Sequence, residues 1–302
     1  MNRDPEPMAI SRRRFLHHAG VAAAGATFAA VARAAAPRPT YQIGAYTRAW
    51  GMRDYRVALD GMVATGYRHV GLSVHGPQGK MARVIDRNSA DGQADAVGRE
   101  VKSRGLGLVV LSGGEFELNK PIPEGSAQLR RVVDLAVICG APCVQVNEPS
   151  KTEADPVFYR VMAECADYAA GKQVVLAVHP HGFSGAHIRR QLRMVGDPSI
   201  RIMYDPGNVG FYSHGNIDLV DDSAALDGVV HGMSVKDFRL EPRDVMITPG
   251  TGKVDFARVL ARLRAGGFTE GPLTVECLQP GTLEQVNEEA RRARRLVEEL
   301  VA

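Results

Sequence analysis

From residue 41 onward, short apolar runs alternate with segments of helical spacing, and the alternation repeats eight times. The apolar runs cover 41–46, 69–74, 106–111, 143–146, 174–178, 200–204, 229–235 and 272–275. Between and after them, helical spacing is predicted over 57–65, 94–104, 126–139, 156–170, 187–195, 222–226, 256–265 and 283–301. Strands rich in Val, Leu and Ile, separated by helices, imply a parallel sheet whose outer face is covered. Eight such units in about 265 residues fit a single-domain α/β fold, a closed (β/α)8 or TIM barrel. A doubly wound open sheet would carry a glycine-rich phosphate turn after its first strand, and Gly44-Ala45-Tyr46-Thr47 is not one. Gly250-Thr251-Gly252-Lys253 lacks the phosphate-loop spacing and the Ser or Thr after Lys, so it reads as a turn before a helix.

The residues ahead of the first strand read as an address. Ser11-Arg12-Arg13-Arg14-Phe15-Leu16 precedes the uncharged run 20–32, and Ala32-Arg33-Ala34-Ala35-Ala36 supplies a small-residue cleavage pattern. This resembles a bacterial twin-arginine export signal. The run is shorter than the ~20 apolar residues of a membrane span, and Asp4 and Glu6 argue against an organelle transit peptide. The expectation is a removed signal over 1–34, a barrel over 35–302 and a periplasmic or secreted protein without a stable membrane anchor after processing. That route carries proteins already folded, which favours an enzyme with a metal or cofactor in place.

Composition narrows the partners. The signal holds five arginines against two carboxylates, the whole formal +3 of the chain, so the remainder is close to neutral. A neutral surface lacks the basic footprint of nucleic-acid binding. Cys139, Cys143, Cys165 and Cys277 lie in apolar stretches without zinc-ribbon spacing, and read as buried thiols. The sequence leaves a homo-oligomer open.

In a barrel the chemistry sits at the carboxyl ends of the strands, and the second half of this chain is loaded there. The fifth strand ends in His179-Pro180-His181-Gly182, the sixth in Tyr204-Asp205-Pro206-Gly207-Asn208, the seventh in Ser234-Val235-Lys236-Asp237, and the eighth in Glu276-Cys277. Each could have an ordinary role, a backbone-bonded His, an Asp-Pro-Gly turn or a solvated Lys-Asp pair. Closing four neighbouring apolar strands, however, they would be costly to bury unpartnered. A divalent cation would satisfy them together.

The order His-Pro-His-Gly, Tyr-Asp-Pro-Gly-Asn, Val-Lys-Asp-Phe, Pro-Gly-Thr-Gly-Lys-Val-Asp-Phe and Gly-Pro-Leu-Thr-Val-Glu resembles the xylose isomerase-like barrels. These include sugar isomerases and epimerases, with 3-keto-glycoside and C-glycoside lyases as relatives. The resemblance spans roughly 40–300 and is most specific over 174–277. It implies a divalent metal (Mn, Co, Zn or Mg) held by Glu, Asp, His and Glu from the ends of strands five to eight. Asp205 and Glu276 match that pattern, but His179 stands in place of the first Glu and Ser234 in place of the His. The expected ligands are therefore His179, Asp205 and Glu276, completed by His181, Glu148 or water.

In the epimerase relatives two metal-bound carboxylates move a proton across a sugar, beside a carbonyl. Replacing one of them with His179 leaves asymmetric acid–base equipment, which suits a one-way elimination from a keto-sugar or 3-keto-glycoside. Glu276 and His179 are the expected catalytic groups, with Lys236 polarising the carbonyl. Asn208, Asn147, Glu148 and Asp237 are expected to contact the substrate, with Glu115 and His75 nearby. Two alternatives stand beside this reading: sugar isomerisation or epimerisation by the same proton chemistry, and a non-catalytic sugar-binding barrel. Metal-dependent phosphodiester hydrolysis is disfavoured by the neutral charge.

Overall fold

The computed structural model describes residues 40–76, 79–149 and 155–302. The predicted signal at 1–34 lies outside them. Eight parallel strands close into one barrel: β1 (Thr40–Tyr46), β2 (His69–Leu72), β3 (Gly107–Ser112), β4 (Cys143–Asn147), β5 (Val175–His179), β6 (Ile200–Tyr204), β7 (Val230–Val235) and β8 (Glu270–Val275). Closure pairs β1 with β8 from Thr40 opposite Glu270 to Ala45 opposite Val275, and β1 with β2 through Gly44 opposite His69. The single-domain (β/α)8 architecture expected from the alternation is the one observed.

The helices wrap the outside: α1 (Tyr55–Ala64), α2 (Asp91–Ser103), α3 (Ile122–Cys139), α4 (Asp155–Gly171), α5 (Gly185–Val195), α6 (Pro206–Tyr212), α7 (Leu219–Ala224), α8 (Phe256–Ala265) and α9 (Leu283–Val301). Side-chain caps start several of them earlier than apolar spacing alone predicts. Asp54 accepts from Arg56 N before α1, Ser184 from His187 N before α5, and Asp218 from Val220 N and Asp221 N before α7. Such caps satisfy amides that the first turn leaves without partners. The predicted strand 69–74 ends at Leu72, and Val74–His75 turns to pair antiparallel with Ala82–Arg83.

The apolar core has two parts. The large part lies between strands and helices, and includes Leu59, Val70, Leu129, Val178, Ile202 and Leu273. A small cluster of Tyr46, Val109, Val110, Cys143, Ala177 and Met203 forms separately from it. Tyr46 needs Gly71 beside it, because a Cβ there would lie 2.5 Å from its ring. All four cysteines are buried free thiols, as their apolar surroundings suggested.

At the amino ends of the strands, a concavity of about 480 Å³ is lined by Tyr41, Arg201, His231 and Glu270 among others. Burial, reinforced by the charge of Arg201, pushes the His231 imidazole down to about 4. An unfolded chain protonates a histidine near pH 6.5. Stability from the neutral ring is thus complete above about 6.5 and is lost as pH falls toward 4. Between pH 7.5 and 5, urea unfolding should lose about 2 kcal/mol more in the native chain than in His231→Gln. Equal acid sensitivity of the two proteins would contradict this.

Candidate active site

Because all eight strands run parallel, their last residues share one end of the barrel, where a cavity of about 240 Å³ opens. Tyr46, Arg48, Arg83, Ser112, Glu115, Gln145, Asn147, His179, His181, Asn208 and Glu276 are among its walls. At its base three of the expected residues converge. His179 Nε2 lies 3.2 Å from Asp205 Oδ2 and 3.3 Å from Glu276 Oε2. All three residues are buried, and none of these three atoms has a hydrogen-bond partner.

Each donor is held by its own backbone. His179 is the last residue of β5, Asp205 follows β6 and Glu276 follows β8. Asp205 also caps α6, its Oδ1 accepting from Asn208 N at 2.8 Å, so the cap fixes the carboxylate and leaves Oδ2 facing His179. Lys236, just beyond β7, joins from the side. Its Nζ donates to Asn208 Oδ1 at 2.8 Å and Glu276 Oε1 at 3.1 Å, and lies 3.8 Å from Asp205 Oδ2. Asn208 is held in turn through its Nδ2, which donates to the Pro180 carbonyl at 2.9 Å.

Burial and charge work against each other here. Burial alone would raise the Glu276 carboxyl, but Lys236, His179 and Arg48 hold it well below the usual carboxylate range. Burial would lower the His179 imidazole, yet Asp205 and Glu276 outweigh it and the net shift is upward. Burial likewise opposes the Lys236 ammonium, and Glu276 and Asp205 more than restore it.

The residues present fit a divalent cation. One imidazole nitrogen and two carboxylate oxygens, buried and without hydrogen-bond partners, all lie within 4.8 Å of one another. This is a donor set suited to Mn, Co, Zn or Mg, and three protein ligands leave positions open as catalytic sites require. The same atoms also account for the raised imidazole, since carboxylate oxygens 3.2 and 3.3 Å from Nε2 favour its protonated form.

The other expected residues divide. Asn208 and Asn147 line the cavity. His181 lines it too, but stands outside the converging donors, with its Nε2 3.2 Å from the Tyr212 hydroxyl. Glu148 is buried beside the cavity, accepting from the Tyr159 hydroxyl at 2.7 Å. Asp237 is not among the cavity's lining residues. Its carboxylate accepts from the amides of Phe238, Gly250, Gly252 and Val254, which makes it the anchor of the segment it faces rather than a substrate contact. His75 likewise does not line the cavity, and its Nδ1 accepts from Tyr55 N at 3.3 Å.

Several wall residues were not anticipated. Arg48, from the 3-10 turn Thr47–Trp50 after β1, donates to Glu276 Oε1 at 2.9 Å. The Tyr46 hydroxyl donates to Gln145 Oε1 at 2.5 Å, and Gln145 Nε2 donates to Ser112 Oγ at 3.2 Å. Arg83 pairs with Glu115 and donates to the Ser112 carbonyl at 3.1 Å. A lone polar Gln145 inside an apolar run, and a Tyr and a Ser closing strands, were the available signals.

The xylose isomerase-like TIM barrel family model matches residues 59–300. No curated protein matches the chain by sequence. Among solved structures, a xylose isomerase domain protein from Planctomyces limnophilus is 20% identical with a TM-score of 0.66, over 87% of this chain and 98% of that one. A D-psicose 3-epimerase solved in the presence of D-fructose is 12% identical with a TM-score of 0.66, over 86% and 99%. The 3-keto-D-glucoside 4-epimerase of E. coli is 14% identical with a TM-score of 0.61, over 86% and 99%. At these identities the likeness is one of fold.

Proposed function

Since the chain belongs to the xylose isomerase-like TIM barrel family, we propose that it is a metal-dependent carbohydrate enzyme that removes a proton beside the carbonyl of a keto-sugar or 3-keto-glycoside. The observation that carries this reading is the convergence beside Lys236 of three buried donor atoms that lack hydrogen-bond partners. His179, Asp205 and Glu276 would hold the cation. Because Lys236 and Arg48 already balance Asp205 and Glu276, a bound divalent ion would leave the pocket electropositive, the sign that stabilises an enolate oxygen.

Glu276 takes the proton. Its carboxylate is kept ionised chiefly by Lys236, which makes it a weak base while that contact lasts. An ammonium that turns toward the developing oxyanion withdraws from Glu276 and makes the carboxylate more basic. Asn208 keeps Lys236 at this crossing point. Arg83, Gln145 and Asn147 offer the opposite wall hydrogen bonds for sugar hydroxyls.

In a 3-keto-glycoside the proton lost is the one on C2. The electron pair of that C–H bond forms the enolate, and its return expels the group on C1, giving a C1–C2 double bond and the protonated leaving group. Epimerisation would instead return a proton to the opposite face, a task that His179, held as a ligand of the cation, would not be free to perform. Export would bring such an enzyme to glycosides rather than to sugar phosphates, so the proposed signal over 1–34 belongs to the same reading.

Incubating the protein in D2O with methyl 3-keto-β-glucoside tests it. The expected result is loss of the C2–H resonance, by exchange or with release of methanol. No exchange and no consumption, with this compound and with free ketoses alike, would overturn the proposal.

A further inference from the structure

A second cavity, of about 380 Å³, opens beside the catalytic one, and the two share Glu115, Asn147 and His181. They therefore meet along the ends of β3, β4 and β5. Their linings differ in balance. Beyond the shared residues, the catalytic cavity presents Arg48, Arg83, Gln145 and His179 with Val74 and Met81 at its side, whereas the second presents Phe116, Leu118, Val146, Pro149 and Phe158, with Glu148 as its one further charged group.

The apolar wall is firmly built. Phe158 is 2% exposed and stacks on Phe116, with ring centroids 5.6 Å apart and planes 17° from parallel. The segment that carries Phe116 and Leu118 is tied to α3, where Glu117 N donates to Gln128 Oε1 and Gln128 Nε2 donates to Glu117 Oε2, each at 2.9 Å. Gly114 lets the segment pass close to β4, since a Cβ there would lie 2.7 Å from Val146.

We infer that the substrate is a conjugate of two unlike halves, a sugar in the catalytic cavity and an apolar, ring-bearing group in the second. This rests on the carbohydrate reading given above. A sugar hydroxyl finds partners among Arg83, Gln145 and Asn147 but few against phenylalanine and leucine, while an apolar ring gains by displacing water from such walls. Continuity through Asn147 and His181 places the bond between the two halves at the cavity junction, next to His179. A free monosaccharide would leave the second compartment unused.

Equilibrium dialysis of the full chain with matched phenyl and methyl glycosides of common hexoses tests this, because neither carries a ketone to be turned over. The phenyl compounds should bind at least about tenfold more tightly, a difference of about 1.4 kcal/mol. That advantage should shrink to about twofold or less in Phe116→Ala and in Leu118→Asp, while methyl glycosides bind as before, which also reports that the variants fold. Equal affinities in the native protein would overturn the second compartment and leave the sugar reading standing. No binding of either series would overturn the sugar reading, and the inference with it.

Discussion

Glu276→Gln should lower the rate of C2–H exchange by at least about 10³-fold, the scale expected when a general base is lost together with a charge at the reacting centre. The amide has nearly the same shape but takes no proton. It also leaves Lys236 and Arg48, which share Glu276 Oε1 at 3.1 and 2.9 Å, facing a neutral group. Losing one partner of a buried ion pair destabilises by about 3–5 kcal/mol, so exchange has to be compared on folded protein, at a temperature below the variant's transition. Glu115→Gln is the control. That residue lines the same cavity but is exposed and paired with Arg83, and its loss should reduce exchange less than about tenfold. A Glu276→Gln protein that is folded and keeps more than a tenth of the native rate would remove Glu276 from the mechanism.

Asp237→Ala should cost about 3–5 kcal/mol of stability, read from urea unfolding. Asp237 is fully buried, and its oxygens accept four backbone hydrogen bonds at 2.8–3.0 Å. Alanine would strand the buried amides of Phe238 and Val254 and release those of Gly250 and Gly252, which sit on the exposed part of the segment. The segment is packed tightly against the carboxylate, for a Cβ on Gly252 would lie 2.4 Å from Asp237 Oδ1. Asp237→Asn should fall between native and alanine, because only one of its two terminal atoms accepts. The anchored segment follows Met246, whose Sδ lies 3.7 Å from Arg48, so both variants should also slow exchange. A loss below about 1 kcal/mol in Asp237→Ala would show that the four amides find other partners.

The barrel was legible because its signal is repetition, and eight alternations outweigh errors at any one boundary. What spacing missed is local. Asp205-Pro206-Gly207 reads as a turn, yet Pro206 is tolerated in a helix's first turn and the Asp205 side chain caps it, so α6 begins there. The ligand candidates were legible for a related reason: His179, Asp205 and Glu276 each close an apolar strand, where a polar side chain needs an explanation. Asp237 shows the limit of that logic. It follows Lys236 at the same strand end, but adjacent residues point in opposite directions, and its partners come from residues up to 17 positions away. Arg48 was hidden more deeply, since it meets Glu276 across 228 residues and only closure of β1 on β8 brings them together.

The central claim is that His179, Asp205 and Glu276 hold a divalent ion, and metal content tests it most directly. The native protein and His179→Ala, Asp205→Ala and Glu276→Ala would be stripped with chelator, equilibrated with Mn, Co or Zn, and dialysed before elemental analysis. The account predicts about one ion per chain in the native protein and loss of binding in each folded variant. A native protein that takes up none of the three ions would contradict it, leaving Lys236 and Arg48 as the counter-charges of the two carboxylates.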